Sequence, residues 1–278
     1  MISEGSTKYF QQSVELPNEG MCSLILHENK ILFVINTRFS NICYEIVDGN
    51  LKKHSTLVES RGVTPSAVTT SYGTFFFGGY RSGYRSGYKK DTYEFLLHGS
   101  SEWQIGKTKI PGGFSRGCVI ALKSKPEIWL IGGYETRRRI LSFNLETHSF
   151  TVLPTKLLVG RSRFQCSYIP NTNKILVTGG YGLSFTEIID TVDGSITMGS
   201  SMRGRRHDHG IGIVTVNGVD RVSVFGGYGG IGSSKDYLKT VEIYNPESEM
   251  WEDSTFELKE AKAYFGFVSV NNKLIMAE

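Results

Sequence analysis

At 278 residues, with 39% hydrophobic and 21% charged residues, the chain is long and apolar enough to bury a sizeable core, which excludes intrinsic disorder. Its formal net charge of +4 is too small for charge alone to imply nucleic-acid binding. No apolar run approaches the ~18–20 residues that cross a membrane as a helix, and the opening MISEGSTKYFQQ lacks the apolar stretch of a secretion signal.

In chain order, Tyr9 or Phe10 followed by QQSVELP reads as an isolated last strand. A weak repeat at about 20–58 keeps Tyr44 and Leu51 with six residues between them, and has Ile35 and Asn36 where later repeats carry glycines. Four clear copies follow, at about 61–111, 114–155, 160–202 and 205–258. Each has an apolar strand (TFFF, IWLI, KILVT, RVSVF) ending in Gly-Gly-Tyr, at Gly78-Gly79-Tyr80, Gly132-Gly133-Tyr134, Gly179-Gly180-Tyr181 and Gly226-Gly227-Tyr228. The steps between triplets are 54, 47 and 47 residues. Downstream, two apolar residues flank six turn-forming ones: Phe143 to Phe150, Ile189 to Ile196 and Tyr244 to Trp251, with Phe95 to Trp103 one residue longer. This spacing predicts strand pairs around tight turns. The closing KAYFGFVSVNNKLIMAE, residues 262–278, reads as the first two strands of another unit.

A double glycine after the second strand and a spaced aromatic pair resemble the kelch repeat, along the whole chain with varying strength. The Trp-Asp mark of WD40 blades is absent. The resemblance implies an all-β, six-bladed kelch β-propeller filling residues 1–278 as a single domain. Its ring is closed by an N-terminal strand (about 1–16) joining the C-terminal half-blade at 262–278, which avoids open sheet edges. The glycines, with Trp103, Phe150 and Trp251, are expected to be structural and to mark no site. Cys22, Cys43, Cys118 and Cys166 are far apart without a Cys-x-x-Cys, and read as reduced, buried thiols of a cytoplasmic protein.

With the strands of each blade labelled a to d, the b–c and d–a connections share one face of the disc. Arg61, Arg116, Arg161, Arg163, Arg203, Arg205 and Arg206 fall in d–a connections or at the start of strand a. Arg38, Arg81, Arg85 and Arg137 to Arg139 fall in b–c connections, leaving only Arg221 on the other face. Arg116 and Arg163 stand sixteen residues before their first glycine, Arg61 seventeen and Arg206 twenty. Guanidinium groups grip carboxylates or phosphates bidentately, and tyrosines add rigid contact area. The expected partner-binding set is therefore Arg38, Arg61, Tyr80, Arg81, Tyr84, Arg85, Arg116, Tyr134, Arg137, Arg138, Arg163, Tyr181, Arg205, Arg206 and Tyr228. The loop RSGYRSGYKKD at 81–91 duplicates Arg-Ser-Gly-Tyr and reads either as an adaptable contact loop or as a neutral duplication.

Catalytic patterns are weak. His207-Asp208-His209 suits a metal only with a third ligand, and His27, His54, His98 and His148 are scattered in sequence. GGYGGIGSS at 226–234 precedes no helix, so it cannot cradle a phosphate as nucleotide-binding loops do. The expectation is a non-enzymatic protein-interaction module without metal or cofactor, binding neither nucleic acid nor membrane. Its partner is an acidic or phosphorylated protein segment, as for the substrate-recognition propellers of kelch-type ubiquitin-ligase adaptors, although this chain has no room for their BTB and BACK domains. Two alternatives remain open: an actin-associated scaffold, and a small-molecule enzyme of the kelch propeller type.

Overall fold

The computed structural model describes residues 21–28, 30–36, 41–47, 50–61, 66–81, 88–89, 91–232, 235–270 and 273–277. The expected closing strand at 1–16 and the residues Arg38, Tyr84 and Arg85 lie outside that set.

The first sheet holds β1 (Met21–His27), β2 (Lys30–Asn36), β3 (Ile42–Val47) and β4 (Asn50–Thr56) in sequential antiparallel order. The second holds β5 (Ser66–Thr69) and β6 (Gly73–Phe77). Beyond a short ribbon of β7 (Tyr80–Arg81) and β8 (Tyr88–Lys89) it continues with β9 (Tyr93–Leu97) and β10 (Gln104–Ile105). The third is β11 (Cys118–Ala121), β12 (Glu127–Ile131), β13 (Arg139–Asn144) and β14 (Phe150–Lys156). The fourth is β15 (Gln165–Tyr168), β16 (Lys174–Thr178), β17 (Phe185–Asp190) and β18 (Ile196–Ser201).

After β19 (Arg205–His207), the fifth sheet comprises β20 (Gly210–Val216), β21 (Val219–Phe225), β24 (Val241–Asn245) and β25 (Met250–Asp253). β22 (Tyr228–Gly230) and β23 (Asp236–Tyr237) join β19 in a small side sheet. β26 (Gly266–Val270) and β27 (Lys273–Ala277) end the described chain. The first strands of successive sheets touch in the order β1, β5, β11, β15, β20, β26, and β26 also touches β1. No helix occurs among the described residues, and an all-β stack of such sheets fits a β-propeller.

The burial pattern follows from this packing. The second strand β6, GTFFF, is buried along its whole length and β12, β16 and β21 over their later residues, because neighbouring sheets cover both faces. The fourth strands, such as β14 and β18, are largely exposed. Cores form between sheets: Phe75, Phe77 and Tyr93 pack against Ile128, Leu130 and Phe143 of the next one.

The double glycine follows from a close approach. Gly78 and Gly79 have φ of 65° and 114°, and a Cβ on them would come within 1.8 Å of the Phe114 carbonyl and 2.2 Å of that of Arg61. The second glycine then donates to the following sheet's leading segment, Gly79 N–H to Phe114 O at 3.0 Å. Gly133 does the same to Arg161, Gly180 to Arg206 and Gly227 to Lys262.

The aromatic spacing pairs as expected in three sheets, where Phe143 faces Phe150, Ile189 faces Ile196 and Tyr244 faces Trp251. It fails in two. A tighter hairpin, with Val47 opposite Asn50, puts Leu51 opposite Ile46, not Tyr44, and Phe95 faces Gln104 while Trp103 packs on Phe76.

The cysteines correct the sequence reading. Cys118 and Cys166 lie on the neighbouring first strands β11 and β15, with Cα atoms 6.0 Å apart, and form a disulfide. Adjacent sheets bring together residues 48 positions apart, which no local spacing reveals. Of the two remaining, Cys43 is a buried thiol whose pKa burial pushes up to about 12. The bond removes the reason that the cysteines supplied for a reducing compartment.

Candidate binding face

The segments leading into the first strands hold two distinct classes of arginine. In the first class, Arg61, Arg161 and Arg206 are 2%, 1% and 2% exposed. Each pairs with a buried glutamate on its own sheet's third strand: Arg61 with Glu94 at 2.8 Å, Arg161 with Glu187 at 2.5 Å and Arg206 with Glu242 at 2.7 Å. Nη1 of each donates to carbonyls of the first glycine and of the residue ahead of or opening the third strand, such as Gly78 and Thr92 for Arg61. Glu94 also accepts from the backbone N–H of Val58 and Glu59, and Glu187 from that of Leu158 and Val159. Each carboxylate thus clamps the leading segment onto its sheet.

Arg61 and Arg206 were expected on an open face, and burial corrects this. Desolvation lowers the pKa of Arg161 and Arg206, opposed by Glu187 and Glu242. The ion pair is the condition for holding such a group inside.

The second class lies two residues further on. Arg116, Arg163, Asp208 and Tyr264 all have positive φ (55°, 60°, 49° and 65°) and are strung together from sheet to sheet by backbone bonds. Arg163 N–H donates to Arg116 O at 2.7 Å, Asp208 to Arg163 at 2.9 Å and Tyr264 to Asp208 at 3.1 Å. Their side chains meet on the face where the first strands begin. Arg163 Nη1 donates to Asp208 Oδ2 at 2.9 Å and to Tyr264 Oη at 3.1 Å, and His207 Nδ1 is 2.7 Å from the same Asp208 oxygen.

The tyrosines complete the face. Tyr134 and Tyr181 are 49% and 68% exposed. The Arg116 and Arg137 guanidinium carbons lie 5.7 and 5.9 Å from the Tyr134 ring. The His207 ring lies 5.2 Å from Tyr181 and 5.5 Å from Tyr228, which meets Tyr237 at 5.5 Å. Two side-chain groups result, Arg137–Tyr134–Arg116 and Arg163–Asp208–His207 with Tyr181 and Tyr228, joined by the backbone bond from Arg163 N–H to Arg116 O.

Arg138 is exposed nearby, with Nε on the Leu157 carbonyl, and Arg205 is exposed in β19. Tyr80 and Arg81 form β7 opposite β8, and their side chains lie outside the described residues. Sequence spacing missed Asp208, His207 and Tyr264 as members of the patch. The alignable signal was position: Arg163, Asp208 and Tyr264 each follow a buried Arg or Lys by two residues. The neighbouring imidazoles separate, because His209 turns inward to Thr178 Oγ1 at 2.9 Å while His207 stays on the face.

No family model matches the chain, and no curated protein matches it in sequence. Among solved structures it is similar to that of YjhT, with a TM-score of 0.79 over 94% of this chain and 90% of that one at 13% identity. That likeness shows the fold, a β-propeller.

Proposed function

We propose that the chain is a six-bladed, ring-closed propeller of the kelch type and a non-enzymatic module that captures an acidic or phosphorylated segment of another protein. Contact of β26 with both β20 and β1 supports closure. The observation that carries the binding reading is the patch itself: exposed Tyr134 and Tyr181 stand among Arg116, Arg137 and Arg163 on one face. Arg163 is partly neutralised by Asp208, and the exposed Arg137 beside Tyr134 adds positive charge that can face a ligand.

The test is a peptide array of phosphorylated and glutamate-rich sequences probed with wild type and with the Arg116→Glu/Arg137→Glu variant. Binding that falls at least ten-fold, and weakens with salt in the wild type, supports the reading. Equal binding by both proteins overturns it. One observation favours a small-molecule enzyme at the same place, the 2.7 Å contact of His207 with Asp208, which suits proton transfer. Under that reading a small anionic ligand, not a peptide, protects the face, and His207→Gln abolishes turnover while leaving binding intact.

A further inference from the structure

On the opposite face, where β1 turns into β2 and β9 turns into β10, two histidines far apart in sequence come together. The His27 and His98 rings are 5.0 Å apart, and Glu28 lies beside them with a carboxylate oxygen 3.6 Å from His98 Nδ1. One ligand atom from each of the three lies within 4.8 Å of those of the other two.

The hydrogen bonds around the cluster decide its chemistry. His98 Nε2 sits 2.9 Å from the Thr70 carbonyl, which only accepts, so that nitrogen carries the proton. In the neutral ring Nδ1 is then a lone pair directed at a carboxylate. His27 is 2% exposed, with Nδ1 2.9 Å from Thr74 Oγ1, itself 2.9 Å from Thr69 Oγ1. The other nitrogen of His27, Nε2, is buried with no hydrogen-bond partner. A buried nitrogen without a partner costs about 1–3 kcal/mol unless something fills the place. With His98 neutral and with His27 protonated on Nδ1, a proton that Thr74 Oγ1 can accept, three lone-pair donors converge.

We propose that His27 Nε2, Glu28 and His98 Nδ1 bind a Zn²⁺ ion, with water as the fourth ligand. Two imidazoles and a carboxylate are the donor set of an open zinc site. Thr74 and the Thr70 carbonyl are the outer partners that hold each ring's other nitrogen and fix its tautomer. Tetrahedral ligands about 2.0–2.1 Å from zinc stand about 3.3 Å apart, so the site closes from 4.8 Å by rotation of the exposed Glu28 and His98 side chains. The ion would join the β1–β2 turn of the first sheet to the β9–β10 turn of the second. Glu28 already bridges these turns by accepting the Gly99 N–H at 2.5 Å. The site is independent of the proposed binding face.

Equilibrium dialysis of tag-free, EDTA-stripped protein against Zn²⁺ tests this. One Zn²⁺ per chain is expected, with affinity falling at least ten-fold in both Glu28→Gln and His98→Gln and unchanged in His207→Gln. Both lost ligands are exposed, so these variants keep their fold where a His27 variant, which strips Thr74 of its buried partner, risks it. Zinc is also expected to raise the melting temperature of wild type and not of either ligand variant. No stoichiometric binding, equal binding by the ligand variants, or loss in His207→Gln overturns the proposal.

Discussion

The third and fourth sheets are built alike, joined by the Cys118–Cys166 disulfide, yet solve one packing problem in opposite ways. In the fourth, Arg161 and Glu187 form a buried ion pair, and the carboxylate also holds the N–H groups of Leu158 and Val159. In the third, the glycine donation places Phe114 where Arg161 stands, and strand register places Leu141 where Glu187 stands. Both replacements are buried in an apolar cluster. Counting back from Phe114 puts Pro111 opposite Leu158, and proline has no N–H left to satisfy. Three changes thus remove a cation, an anion and a donor together. The lesson is that this position demands mutual satisfaction, and charge is only one way to supply it.

Breaking one half of the fourth sheet's arrangement is expected to have the largest effect. Glu187→Leu leaves Arg161 buried without its carboxylate and is expected to cost about 3–5 kcal/mol in urea unfolding. Converting the whole set to the third sheet's solution, Arg161→Phe, Glu187→Leu and Leu158→Pro together, is expected to recover to within about 1.5 kcal/mol of wild type. A triple variant no better than the single one would show that the two sheets are not interchangeable.

Next in size is the bond between these two sheets. Cys118→Ser/Cys166→Ser is expected to lose about 2–4 kcal/mol, and reductant to lower wild-type stability while leaving the variant unmoved. A thiol count under denaturing, non-reducing conditions checks the pairing directly.

The fifth sheet extends the comparison to pH. His209 is buried, and burial first, then Arg206 and His207, holds its pKa well below 6.5. The unfolded chain binds that proton and the folded chain does not. Stability is therefore full above pH 6.5 and falls as pH drops below it, by at most about 1.4 kcal/mol per unit for this group. His209→Asn is expected to flatten the melting-temperature profile between pH 6.5 and 5; an unchanged slope would assign it to other groups. The smallest effect belongs to the exposed patch, where Arg116→Ala is expected to change stability by no more than about 0.5 kcal/mol while weakening peptide binding.

Much of the fold was legible because its signals are local. A strand, two glycines and a tyrosine lie within ten residues, and the glycines are required where one backbone passes within contact of the next. The hairpin spacing was equally readable wherever six residues separate two strands that pair directly, as at Phe143–Phe150, Ile189–Ile196 and Tyr244–Trp251. The binding face was only half legible. Arg116 and Arg163 were placed on it by their count from the glycines, but the same count put Arg61 and Arg206 beside them. These are buried, because a two-residue offset ahead of the first strand separates a side chain on that face from one paired with a glutamate of its own sheet.

By itself, then, the amino-acid order determined the repeating unit and its strand ends. Both depend on contacts between near neighbours or on strict alternation along a strand. Tertiary structure alone decided which arginines meet a glutamate 26 to 36 residues away, which cysteines join across 48 residues and which histidines converge. The physical reason is that these partners lie on segments that only folding brings side by side: each ion pair closes between the leading segment and the third strand of one sheet, and the disulfide and the histidine pair join one sheet to the next.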